Sequence, residues 1–260
     1  MTIRNFRSAV DSNDVLGALL SLEGVRDLDA QYAELDDFTL LSYATKKGSL
    51  ILVDTLLEKG ANVDTKSGEK WTPLAYACDT GNIDIIKALY LNGADPESML
   101  PHKISCLYLS CRSRNLEVAE FLLNTGVNAD TTYTDGFATL HYAAHWGLYD
   151  MVDLLIKHGA NVDMINNVKS TPLHVASLWG KSDIVERLVK AGAQLDLKDK
   201  YERTPLHLAS QDGQSESVRL LLSAGAKVNE VSIDGSTPLY LATINEHTEI
   251  IRMLSDYGAR

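Results

Sequence analysis

Apolar residues return to the same places every 33 residues along this chain. A leucine stands at Leu41, Leu74, Leu107, Leu140, Leu173, Leu206 and Leu239, and none of these positions is substituted. Two residues before each lies a small, mostly polar residue, Thr39, Thr72, Ser105, Ala138, Thr171, Thr204 or Thr237, which opens a Thr-Pro-Leu-His-like phrase. Later in each period comes a glycine, at Gly60, Gly93, Gly126, Gly159, Gly192, Gly225 and Gly258, usually followed by alanine.

The stretch from Ser170 to Lys200 shows what one period predicts. Thr171 before Pro172 reads as an N-cap followed by proline in the first helical turn, where a missing N–H is no loss. A first helix should then run to about Trp179, with Leu173 and the small Ala176 on one face. Gly180 breaks it, and Ser182 or Asp183 can cap a second helix whose apolar stripe is Ile184, Val185, Leu188 and Val189. Gly192 supplies a left-handed helix end, and the polar residues to Lys200 turn back as an extended hairpin. A period of this length means stacked units that bury their apolar faces against one another, so one elongated repeat domain is expected.

Helix, glycine turn, helix, Gly-Ala and extended loop, with Thr-Pro-Leu-His at a period of 33, resemble the ankyrin repeat family. The resemblance implies an all-α solenoid of stacked helix-turn-helix units with extended hairpin loops, a right-angled curved array with a concave binding face. It covers residues 36–260, with the last unit as C-terminal cap, and residues 1–35 read as a degenerate capping repeat. In that cap the second helix, near Asp14 to Leu22, keeps Val15, Leu16, Leu19 and Leu20, whereas the first carries Arg4, Arg7 and Asp11. Arg114 and Glu246 replace the glycine between the helices, so those turns are expected to be less regular.

Composition narrows the function. Apolar residues make up 45% and charged residues 23% of the chain, values of a folded globular protein rather than a disordered one. No apolar run approaches the ~20 residues of a membrane span, and no secretory leader or Asn-x-Ser/Thr sequon occurs, so a cytoplasmic and possibly nuclear protein without membrane insertion is expected. A formal charge of −11 and the lack of a basic stripe argue against nucleic acid as a partner. Cys78 and Cys111 share one repeat position and read as small core thiols, and a zinc site of His102, Cys106 and Cys111 would need a fourth ligand and a closed geometry. No nucleophile-base pair, phosphate loop or metal set is recognisable, so no enzyme, metal or cofactor is expected. His141, His174 and His207 recur at the period and are read as structural: by the resemblance, each bonds its own cap and the adjoining loop.

Function is therefore sought at the positions the repeat leaves open. By the resemblance these are the residue before each opening and those seven and eight after it. They give Phe38, Trp71, Phe137, His145, Trp146, Leu178, Trp179 and Arg203, with Tyr201 nearby, as candidate partner contacts, and Lys46, Lys47, Lys70 and Arg112 as charges that could steer a partner. Trp146 and Trp179 occupy one position of successive units, so they should lie side by side, roughly 10 Å apart. The expected role is that of a monomeric module binding one or more proteins, as adaptor, scaffold or inhibitor. The alternative is a regulatory segment of a larger enzyme, channel or ubiquitin-ligase substrate receptor, favoured if the reading frame continues past Arg260. The resemblance also implies Asn229 as a target for asparagine hydroxylation.

Overall fold

The computed structural model describes residues 3–260, and its described residues form sixteen α-helices and no β-strand. They divide into two compact units, residues 1–128 and 129–260. In the first unit the helices are α1 (Ile3–Asp11), α2 (Val15–Ser21), α3 (Leu40–Lys46), α4 (Leu50–Glu58), α5 (Pro73–Thr80), α6 (Ile83–Leu91), α7 (Cys106–Arg112) and α8 (Leu116–Asn124). In the second they are α9 (Thr139–Trp146), α10 (Tyr149–Lys157), α11 (Pro172–Leu178), α12 (Ser182–Lys190), α13 (Pro205–Gln211), α14 (Ser215–Ser223), α15 (Pro238–Ile244) and α16 (Thr248–Asp256). None is long and apolar enough to cross a membrane.

Each repeat is a helix pair, and within each unit pairs stack like on like: α3, α5 and α7 form one layer of the first unit, and α9, α11, α13 and α15 one layer of the second. The periodic leucines make the seam. Leu41, Leu74, Leu107, Leu140, Leu173 and Leu206 are buried, and only Leu239, in the last pair, is partly exposed. Ala77, Ala143, Ala176 and Ala209 are buried beside them, small enough to let helices approach closely.

The predicted caps are present in detail. The hydroxyls of Thr39, Thr72, Ser105, Thr171 and Thr237 each accept the backbone N–H three residues on. Ala138 has no side chain with which to do so. The second helix of the fifth repeat begins at Ser182, so its cap position falls on Lys181, one residue before the first predicted cap, and no side chain caps it.

Two further expectations are corrected. Arg114 (φ 57°) and Glu246 (φ 60°) adopt the same left-handed conformation as the glycines they replace, so the turns keep their form and carry the strain in a non-glycine residue. In the N-terminal pair, Leu16 and Leu20 are 67% and 42% exposed, and the core is instead filled by Phe6, Val10 and Ala18. Helix α1, despite its charges, thus supplies more of the buried surface than its apolar count suggested. Arg7 leaves that face to pair with Asp36 at 2.8 Å.

The connecting segments are hairpins closed by backbone bonds such as Asn166 N–H to Ser170 O (3.1 Å) and Asp199 N–H to Arg203 O (2.9 Å). The residue two before each opening is left-handed in every case: Asp37, Lys70, Lys103, Gly136, Lys169, Glu202 and Gly235.

Candidate protein-docking face

Three ladders hold successive repeats of the second unit in register. The first runs through the imidazoles. Nδ1 of His141, His174 and His207 accepts the N–H of Ala138, Thr171 and Thr204 at 3.1–3.2 Å. Nε2 then has to carry the proton, and it donates to the carbonyls of Ser170, Arg203 and Ser236 in the next hairpin at 2.9–3.1 Å. Burial holds these rings neutral, lowering the pKa of His141 to about 4 and those of His174 and His207 in the same direction. The imidazoles are spent on structure, as the resemblance implied.

A second ladder joins the hairpin tips: Asn167, Lys200 and Ile233 donate backbone N–H to Asp135, Val168 and Tyr201. A third ties the turns after the second helices. Asp130, Asp163 and Asp196 accept the N–H of Asn161, Gln194 and Lys227, and Asn229 accepts that of Arg260. Asn229 is exposed, and its amide also donates to the Gly258 carbonyl at 3.2 Å.

On this frame the aromatic candidates of the second unit come together. Trp146 and Trp179 are 50% and 53% exposed. The His145 ring stands edge-on to both, with centroids 5.0 and 4.6 Å away. The row continues through Tyr142, 6.2 Å from Trp146, to Tyr133 and Phe137. Leu178 is half-buried next to Trp179. Burial and the nearby Lys181 push the His145 pKa down, so the ring is neutral near pH 7. Tyr201, 47% exposed, stands on the following hairpin with Lys200 and Arg203 over its ring at 4.7 and 4.9 Å. The Arg203 guanidinium is itself held by two bonds to Asp199, at 3.0 and 2.8 Å.

Sequence reasoning passed over Tyr142 and Ile233. Tyr142 was detectable, because the same register carries Tyr43 and Tyr76. Ile233, strongly exposed beside Tyr201, lies in a loop register with no periodic signal.

The candidates of the first unit have other places. Phe38 is only 5% exposed and packs on Tyr43 and Tyr76 at 6.0 and 5.1 Å, so it belongs to the core and not to a contact surface. Trp71 is half-buried on Tyr76 at 5.1 Å. Lys46 lies over the Phe38 ring at 4.5 Å. Lys47 pairs with Asp11 at 2.6 Å and Arg112 with Asp79 at 2.5 Å, so each of these two charges is neutralised by a carboxylate. Lys70 is exposed at a hairpin tip. Cys78, Cys106 and Cys111 are buried free thiols.

Comparison with known proteins agrees with this architecture. The family model for ankyrin repeats (3 copies) matches residues 7–100, 90–166, 107–199 and 173–260. The crystal structure of the human ASB11 ankyrin repeat domain is similar, with 27% sequence identity and a TM-score of 0.73 over 85% of this chain and 98% of that one. No curated protein sequence matches significantly. With its repeats matched by the model almost end to end, this chain belongs to the ankyrin repeat family, whose arrays are non-catalytic protein–protein interaction modules.

Proposed function

We propose that the chain is an adaptor, scaffold or inhibitor that docks a protein segment on the second unit, across the hairpin tips and the C-terminal ends of the first helices. One observation carries this reading: Trp146 and Trp179 stand half-exposed at equivalent positions of adjacent repeats, joined by His145. Leaving two indoles in water forgoes burial, which favours the folded chain by roughly 25 cal/mol per Å² of apolar surface. Contiguous exposed aromatics mark interaction sites, and tryptophan is enriched among residues that dominate binding energy. The ladders beneath the ledge keep it preformed, which lowers the ordering cost of association.

Phe137, Leu178, Tyr201 and Arg203 would extend the contact, while Trp71 and Lys70 would serve only a partner that also reaches the first unit. Asn229, exposed on its loop, remains a candidate for hydroxylation. The reduced thiols suit a cytoplasmic or nuclear setting.

Affinity capture from the source cell tests the reading, comparing wild type with a Trp146→Ala, Trp179→Ala double variant shown by circular dichroism to be folded. Loss of a captured protein with the double variant is expected. Equal recovery by both would remove the ledge as the docking site.

A further inference from the structure

Beyond Trp179 the same face changes character. Between the hairpin tips of the last two repeats lies a cleft of about 220 Å³, lined by Tyr201, Arg203, Gln211, Ile233, Asp234 and Leu241 among others. Tyr201 and the strongly exposed Ile233 are among its apolar lining. Two cations stand over the Tyr201 ring, Lys200 and Arg203, and Arg203 is neutralised by the nearly buried Asp199 carboxylate. The Asp234 carboxylate accepts from the Ser232 hydroxyl at 2.6 Å and the Ser236 N–H at 3.2 Å. Those bonds hold its pKa below the usual carboxylate range, so it stays ionised. Glu202 at the neighbouring tip and Asp212 at the end of the intervening first helix are exposed carboxylates in the registers occupied by Lys169 and Trp179 one repeat earlier. Lys181 is near enough to the Trp ledge to act on His145, whereas around the cleft the exposed carboxylates of Glu202, Asp212 and Asp234 outnumber Lys200, among the described residues the one cation there without a carboxylate clamp like that of Arg203.

An apolar side chain next to an ionised carboxylate fits a long basic side chain: the aliphatic stem covers the exposed Ile233, alongside Tyr201, and the charged head reaches Asp234. The ledge, one to two repeats away, lies at roughly 10–20 Å by the spacing of packed helices. An extended chain covers that distance in about three to six residues. Resting on the docking function above, we propose that the partner is an extended segment in which an apolar or aromatic anchor for the Trp146–Trp179 ledge is followed, three to six residues away in one chain direction, by a lysine or arginine that fills the Tyr201–Asp234 cleft. The change of charge along the face then sets the direction in which the segment lies, because its basic end is repelled by Lys181 and drawn to Asp212 and Asp234.

The test selects random peptides of about twelve residues, long enough to span the four repeats, on the full chain. Selected sequences are then synthesised with a fluorescent label for anisotropy titration. Enriched sequences should pair an apolar residue with a lysine or arginine at that spacing. Exchanging the basic residue for glutamate should weaken binding by about tenfold or more, and added salt should weaken the original peptide but not the exchanged one. Asp212→Lys with Asp234→Asn should lower affinity similarly if the variant is folded; the peptide exchange on wild type decides the matter if it is not. Peptides that need Trp146 and Trp179 yet are indifferent to the exchange would overturn the basic-anchor proposal alone. Peptides that bind the Trp146→Ala, Trp179→Ala variant as well as wild type would overturn the docking reading with it, as would failure to enrich any sequence.

Discussion

His174 donates from Nε2 to the Arg203 carbonyl at 3.0 Å while its Nδ1 accepts the Thr171 N–H at 3.2 Å, so one imidazole spans two repeats. Only the neutral ring can do both. In the unfolded chain such a histidine titrates near pH 6.5, whereas in the fold burial lowers the pKa of His141 to about 4. Between these values the unfolded state binds more protons, so stability rises with pH: it is complete above about 6.5 and is lost as pH falls toward 4. For His141 the loss amounts to about 3 kcal/mol. The first unit has Ser42, Ala75 and Tyr108 in this register. Residues 129–260 should therefore lose amide protection near pH 5 before residues 1–128 do, as read by hydrogen exchange. Equal protection of both units across this range would contradict the assignment.

His174→Phe removes both bonds, leaving the buried Thr171 N–H unpaired and the Arg203 carbonyl with only the N–H of Asp199. A loss of about 2–3 kcal/mol is expected by chemical denaturation. The variant should also be less sensitive to pH between 4 and 6.5 than wild type, which a purely steric effect would not produce.

Ala138 occupies a helix cap without an oxygen to offer, where five other openings present a hydroxyl that accepts an N–H. Ala138→Ser should stabilise the second unit by about 1 kcal/mol. A midpoint of denaturation that stays the same or falls would show that the site has no room for the hydroxyl.

Lys103 and Lys169 hold left-handed backbone at φ 59° and 56°. This conformation costs an L-residue about 1–2 kcal/mol, partly offset in glycine by its larger chain entropy. Each change to glycine should therefore add roughly 0.5–1 kcal/mol, measurable as a rise in melting temperature.

Gly180 lies at φ 60°, and a Cβ there would come within 2.0 Å of the Gln214 side chain of the next repeat. Gly180→Ala combines backbone strain with that displacement and should cost about 1–3 kcal/mol. It should also disturb the neighbouring Trp179, so its tryptophan fluorescence is the second readout.

The periodic elements were legible because each repeats its own physical requirement: Leu173 for the seam, Thr171-Pro172 for the cap, Gly192 for the left-handed end. Positions that break the period were read less well. Arg114 and Glu246 suggested irregular turns, yet neighbouring structure imposes the turn on whatever residue is there. Phe38 and Trp146 both belong to variable registers, but Phe38 is buried against Tyr43, Tyr76 and Lys46, whereas Trp146, beside Tyr142 and His145, stays half-exposed. Lys47 looked like a free charge, and only folding brings Asp11 to it. Burial and pairing across repeats depend on what lies alongside, which one linear register does not state.

The ladders described above tie neighbouring repeats of the second unit at separate places: imidazole to hairpin, tip to tip, and carboxylate to turn. Links at one place would leave two repeats free to swivel about it. Links at several places resist torsion as well as separation, which turns the stack into a ruler. The spacing from the indole of Trp146 to that of Trp179, and onward to Asp234, is then a fixed length against which a bound chain is measured, residue by residue.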